Sequence, residues 1–128
     1  MPGGAEDGGN IVLVVEDERD TREVMSALLE YAGYKAVGVG NGAEALTSLR
    51  AGVRPFLILL DLRMPVMDGW QFRAEQARGE FASIPVVVIS AEAERDVSGL
   101  RAADTMRKPV DGDLLLGVVA KHRRRAPL

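Results

Sequence analysis

A chain of 128 residues with a formal net charge of −3 has room for one hydrophobic core and little more. It holds no cysteine, which excludes a disulfide framework and thiolate chemistry, and no apolar run approaches the ~20 residues of a membrane span. The acidic balance argues against nucleic acid as a partner, and the opening MPGGAEDGGN lacks the basic start and apolar centre of a secretion signal, so a cytoplasmic protein with no membrane partner is expected.

In chain order, residues 1–9 are Gly-rich and polar and read as a disordered lead-in. Ile11 to Val15 is an unbroken apolar run, the mark of a strand buried on both faces, and it ends in two acids, Glu16 and Asp17. From Arg19 to Ala32 apolar residues recur at helical spacing, at Val24, Leu28 and Tyr31 or Ala32, with Gly33 as the stop. Lys35 to Val39 reads as a weaker strand, Asn41-Gly42 as a turn, and Ala43 to Arg50 as a helix burying Ala45, Leu46 and Leu49. Phe56 to Leu60 is a second unbroken apolar run that delivers Asp61 at its end. Met64-Pro65 and Asp68-Gly69 then break the chain ahead of a helix from near Trp70 to Arg78.

Pro85 opens a third strong strand, Val86 to Ile89, ending at Ser90. A short helix over Glu92 to Leu100, a weak strand over Ala103 to Arg107, a corner at Lys108-Pro109 and a closing helix from Asp113 to about Arg124 complete the pattern. The domain is expected to span residues 10–124, with 125–128 as a tail. His122 reads as part of a solvated, basic helix end.

Strands alternating with segments of helical length predict an α/β fold, a doubly wound five-stranded parallel sheet covered on both sides. The three uniformly apolar strands belong in the centre and the second and fifth at the edges, which gives the flavodoxin-like order 2-1-3-4-5. In that order Glu16, Asp17 and Asp61 converge beyond the carboxyl ends of the strands, and Ser90 and Lys108 join them along the same rim.

Two carboxylates ~4 Å apart repel by ~4 kcal/mol at an effective dielectric near 20, so a cluster of three takes up protons or holds a cation. With oxygen ligands only, the cation of choice is Mg²⁺. Lys108 and Ser90 suit the oxygens of a phosphoryl group, and Asp61 is placed as a carboxylate nucleophile of the kind that forms an aspartyl-phosphate. Taken singly, a Glu-Asp pair reads first as a helix cap, Ser90 as another cap, and Lys108 as a surface lysine. Their convergence with Asp61 is what reverses those readings.

Together these residues resemble the response-regulator receiver domain of bacterial two-component signalling, a chemotaxis-regulator-like fold, over nearly the whole chain. The resemblance rests on Glu16-Asp17, on Asp61 with Met64-Pro65 and Asp68-Gly69, on Ser90-Ala91 and on Lys108-Pro109. It implies that Asp61 is phosphorylated by a partner sensor histidine kinase or phosphotransfer protein. It further implies that Glu16, Asp17, Asp61 and the backbone carbonyl of Arg63 hold Mg²⁺, and that Ser90, the Ala91 backbone and Lys108 bind the phosphoryl group. Ser90 and Thr105 take the switch positions, and Arg63 and Glu92 the positions that tune how fast the group comes and goes, for which a salt bridge between the two is one means.

Two departures qualify the implied mechanism. Thr105 stands where an aromatic ring usually turns inward, and Arg101 where a glycine is common, in an interval from Ser90 to Lys108 about one turn shorter than typical. The fourth helix is therefore expected to be short, displaced or partly unwound. The expected role is a stand-alone receiver, not an enzyme, that acts on a downstream protein target. The alternatives are an unphosphorylated interaction module of the same fold and a small Mg²⁺-dependent phosphohydrolase. Against the hydrolase, the position two residues after Asp61 is Arg63 and supplies no general acid.

Overall fold

The structure, a computed structural model, describes residues 9–91 and 98–126. The elements are β1 (Ile11–Val15), α1 (Arg19–Tyr31), β2 (Lys35–Val39), α2 (Gly42–Arg50), β3 (Leu57–Asp61), α3 (Gly69–Ala77), β4 (Val86–Ser90), a single 3₁₀ turn (Ser98–Leu100), β5 (Asp104–Arg107) and α4 (Gly112–Arg125). All strand pairs are parallel and the order is β2-β1-β3-β4-β5, as expected. Most of the lead-in, and residues 92–97 of the short helix expected over Glu92 to Leu100, lie outside the described residues; Ser98–Leu100 form the 3₁₀ turn.

Alternation along each buried strand divides the core in two. Leu13, Val15, Ile58, Leu60, Val86 and Val88 face α2 and α3, where they meet Leu46, Leu49 and Phe72. Val12, Val14, Leu57, Leu59, Val87 and Ile89 face α1 and α4, where they meet Met25, Leu29, Leu115 and Val119. That is why β1, β3 and β4 carry no polar alternation: both faces are dry. Burying each such side chain contributes about 1.5–3 kcal/mol, so the sheet can hold buried carboxylates at its edge. The weak β5 buries only Met106, as an edge strand can.

The inner face of α1 is not centred on that apolar period. Met25 and Leu29 are buried and Leu28 packs beside them, whereas Val24 is 59% and Tyr31 91% exposed. Met25 and Leu29 are one turn apart and define the stripe; Val24 and Tyr31, seven residues apart, lie together on one flank of it. Gly33 ends the element as expected, at φ 99. His122 also departs from expectation, being only 6% exposed. Its Nε2 lies 3.1 Å from Asp104 Oδ2, which Lys121 Nζ also approaches at 2.6 Å. Contact with Lys121, outweighing burial, holds the Asp104 carboxyl below its ordinary range.

The segment after β3 is fixed at both ends. Asp68 caps α3 in a reciprocal box with Gln71, and Met67 accepts a hydrogen bond from Gly42 N at the start of α2. Gly69 must be glycine, since a Cβ there would meet Asp61 O at 2.5 Å and Leu62 Cα at 2.8 Å. Between these anchors Val66 is held at φ 69 with 83% of its surface exposed. A β-branched residue gains nothing from that left-handed backbone. Val66→Asn is expected to raise stability by about 1 kcal/mol, read as a higher urea midpoint at unchanged slope; an unchanged midpoint would contradict the strain.

Candidate functional site

Strand register builds the site. Val15 pairs with Leu60, so Glu16 and Asp61 follow side by side at the carboxyl edge of β1 and β3. Asp61 pairs with Ile89 and Ser90 with Arg107, which brings Ser90 and then Lys108 to the same edge. The Lys108 N–H donates to the Ser90 carbonyl at 3.0 Å, tying that corner to β4. Ser90 is buried, Ala91 beyond it is exposed, and Thr105 on β5 is exposed with no ring to turn inward.

One carboxylate oxygen from each of Glu16, Asp17 and Asp61 lies within 4.8 Å of the other two. Glu16 is fully buried, Asp61 is 7% exposed, and Asp17 faces solvent. Lys108 Nζ stands 2.7 Å from Glu16 Oε1 and 3.4 Å from Asp61 Oδ2. Glu16 Oε2 accepts from the Glu18 N–H at 3.0 Å, and Asp61 Oδ1 from the Leu62 N–H at 2.8 Å. Apart from the ion contact with Lys108, the buried Glu16 Oε1 has no hydrogen-bond partner among the described residues.

This crowding shifts the protonation equilibria. Burial first, and the neighbouring Glu16 charge second, push the Asp61 carboxyl up from 3.8 to about 6 against the opposing pull of Lys108 and the Leu62 N–H. For Lys108, burial alone would lower the ammonium; contact with Glu16 and Asp61 overrides it and raises the pKa above the ordinary value. One lysine thus serves two buried acids and leaves Asp61 undercompensated. A hard divalent cation suits that arrangement: three convergent carboxylates, one of them with a buried oxygen short of donors, and no softer ligand among them.

Arg63, whose carbonyl the resemblance assigns to the metal, lies on the exposed loop after β3, and its guanidinium carbon sits 5.4 Å from the Trp70 ring centroid. Glu92, the other expected tuning residue, and any salt bridge from it to Arg63 lie outside the described residues. Sequence reasoning missed Arg22, whose Nη1 donates to the Glu16 carbonyl at 2.8 Å and steadies the acidic turn from α1. Its signal was its place in the first turn of the helix that follows the two acids. Beside the site a groove of about 530 Å³ is lined by Val24, Met25, Ala91, Lys108, Pro109 and Val110 among others. Another cavity, of about 510 Å³, lies at the opposite edge of the sheet against Phe56, Pro85 and His122, and takes no part in the cluster.

Comparison with known proteins agrees with this geometry. Residues 12–120 match the response regulator receiver domain family. The response regulator protein FleR of Pseudomonas aeruginosa is 36% identical over 115 residues, covering 87% of this chain and 24% of that protein. PrrA of Mycobacterium tuberculosis, a transcriptional regulatory protein, is 38% identical over 119 residues, covering 89% of this chain and 50% of its own. The chain therefore spans between a quarter and a half of the length of these relatives. Among solved structures, the receiver domain of the sensor histidine kinase PA1611 from P. aeruginosa, with a magnesium ion coordinated in its active-site cleft, superposes with a TM-score of 0.82 at 26% identity. That match covers 91% of this chain and 98% of the other. On the match over residues 12–120 and the site that those residues build, the chain belongs to the response regulator receiver domain family of two-component signalling.

Proposed function

We propose that Asp61 accepts a phosphoryl group from the phosphohistidine of a partner sensor kinase or phosphotransfer protein. Mg²⁺ is held by Glu16, Asp17, Asp61 and the backbone carbonyl of Arg63. The observation that carries this reading is the meeting of three carboxylates within 4.8 Å, with Lys108 against two of them. A carboxylate oxygen of Asp61 bonds to phosphorus as the phosphorus–nitrogen bond breaks and the imidazole departs. Mg²⁺, when bound, offsets the negative charge gathered there. Lys108 pairs with a phosphoryl oxygen, and the Ser90 hydroxyl and the Ala91 N–H donate to others.

The partner reaches Asp61 across the groove at Pro109 and Val110, which accounts for Val24 standing exposed beside the site. Output passes by contact with a downstream protein, and with a net charge of −3 nucleic acid and membrane are not partners of these residues. The expectation of a receiver acting alone draws no support from FleR or PrrA, both of which are longer. Ser90 is the moving member of the switch pair; Thr105, already facing solvent, has little to bury.

Incubation with acetyl phosphate and Mg²⁺, read by intact mass, is expected to add one phosphoryl group to the parent chain and none to Asp61→Asn. No addition to the parent would favour the unphosphorylated interaction module. Multiple turnover of organic phosphates would favour the hydrolase.

A further inference from the structure

Glu16 and Asp17 are joined by a single peptide, yet their surroundings are opposite: Glu16 is fully buried and Asp17 faces solvent. The Glu16 N–H donates to the Val39 carbonyl at 3.0 Å, its Oε2 accepts from the Glu18 N–H at 3.0 Å, and its carbonyl accepts from Arg22 Nη1 at 2.8 Å. The Asp17 carboxylate has no hydrogen bond or ion pair of its own among the described residues. What fixes it is the peptide before it. That peptide is planar, so a donor on the Glu16 carbonyl sets the direction in which the chain reaches the Asp17 α-carbon.

The sheet leaves Arg22 a path to that carbonyl. Its stem crosses β2 at Gly38, where a Cβ would stand 3.2 Å from both Arg22 Cγ and Cδ. Farther along, Arg22 Nη1 would lie 3.7 Å from a Cβ at Gly40, whose N–H donates to Glu44 Oε1 at 2.7 Å. Glycine weakens a strand and marks a place where another group comes close. At Gly38 the group that comes close is the Arg22 stem.

Resting on the reading of Glu16, Asp17 and Asp61 as the Mg²⁺ site, we propose that Arg22 is a positioning residue for Asp17, and that Gly38 supplies the room it needs. The three carboxylates repel one another before an ion arrives, and Asp17, exposed and unfastened, is the one that yields. A charge-assisted hydrogen bond from the guanidinium holds the connecting peptide against that repulsion. Without it, Asp17 turns outward about the soft dihedrals on either side of the peptide, and an incoming ion must gather it back.

Two variants separate positioning from simple support of the fold. Arg22→Met keeps the stem over Gly38 and removes the donor. Gly38→Val keeps the donor and displaces the stem, while placing a favoured residue in β2. Calorimetric titration of the full chain with Mg²⁺ is expected to show binding about tenfold weaker in both, with part of the loss restored in Arg22→Lys. Gly38→Val is expected to match or exceed the urea midpoint of the parent, so affinity falls where stability does not. In the metal-free chain the amide order parameter of Asp17, from nitrogen relaxation, is expected to fall in Arg22→Met while that of Leu13 in β1 stays. Parent-like affinity in Arg22→Met or Gly38→Val, or an unchanged Asp17 order parameter, overturns the inference and leaves the Mg²⁺ site as read. Absence of Mg²⁺ uptake by the parent overturns the site reading on which it rests.

Discussion

Asp61→Asn is expected to stabilise the metal-free chain by about 3 kcal/mol at pH 7. The Asp61 carboxyl rises from 3.8 to about 6 on folding, about two units, and each unit corresponds to about 1.4 kcal/mol. The raised value means that the folded state resists the charged form. Below about pH 4 the group is protonated whether the chain is folded or not, and no penalty exists. The penalty grows as pH rises between the ordinary value and about 6, and is complete above that. Asparagine keeps an oxygen for the Leu62 N–H and removes the charge that burial and Glu16 oppose. Urea unfolding of both chains between pH 4 and 7 is expected to give curves that nearly meet at the acid end and separate toward neutrality; parallel curves would contradict the assignment. The Asp61 carboxylate is thus held at a cost in stability, which a bound cation would offset.

Lys108→Met should act in the opposite direction. The substitution leaves the fully buried Glu16 and the nearly buried Asp61 facing one another with no side-chain cation between them. Removing one member of a buried ion pair costs about 3–5 kcal/mol, because the remaining charge is uncompensated. About 3 kcal/mol is expected here, since Lys108 is 22% exposed and water screens part of the interaction. Adding Asp61→Asn to Lys108→Met should return more than the whole loss, because without Lys108 the Asp61 charge is opposed more strongly than in the parent chain. Additive effects in the double variant would show that lysine and aspartate do not interact.

The sheet was legible because its central strands are dry on both faces and so carry unbroken apolar runs, as at Leu57 to Leu60. The site was legible for the same reason: the first polar residues after those runs mark the carboxyl edge, and the strand order brings them together. Helix faces read less well. Val24 and Tyr31 fit an apolar period as well as Met25 and Leu29 do, and only packing against β1 and β3 decides between them. His122 looked solvated because its neighbours are basic; its burial depends on Asp104, eighteen positions earlier on β5, which no local pattern reveals. The missing ring at Thr105 was readable, but not the stacking of Arg63 on Trp70, which needs the turn between β3 and α3 to fold first.

The account stands on Glu16, Asp17 and Asp61 acting as one oxygen site for a divalent ion. Calorimetric titration with Mg²⁺ addresses it most directly. One ion is expected to bind the parent chain, with binding lost or strongly weakened in both Asp17→Asn and Asp61→Asn. No uptake by the parent, or uptake unchanged in Asp61→Asn, would contradict it.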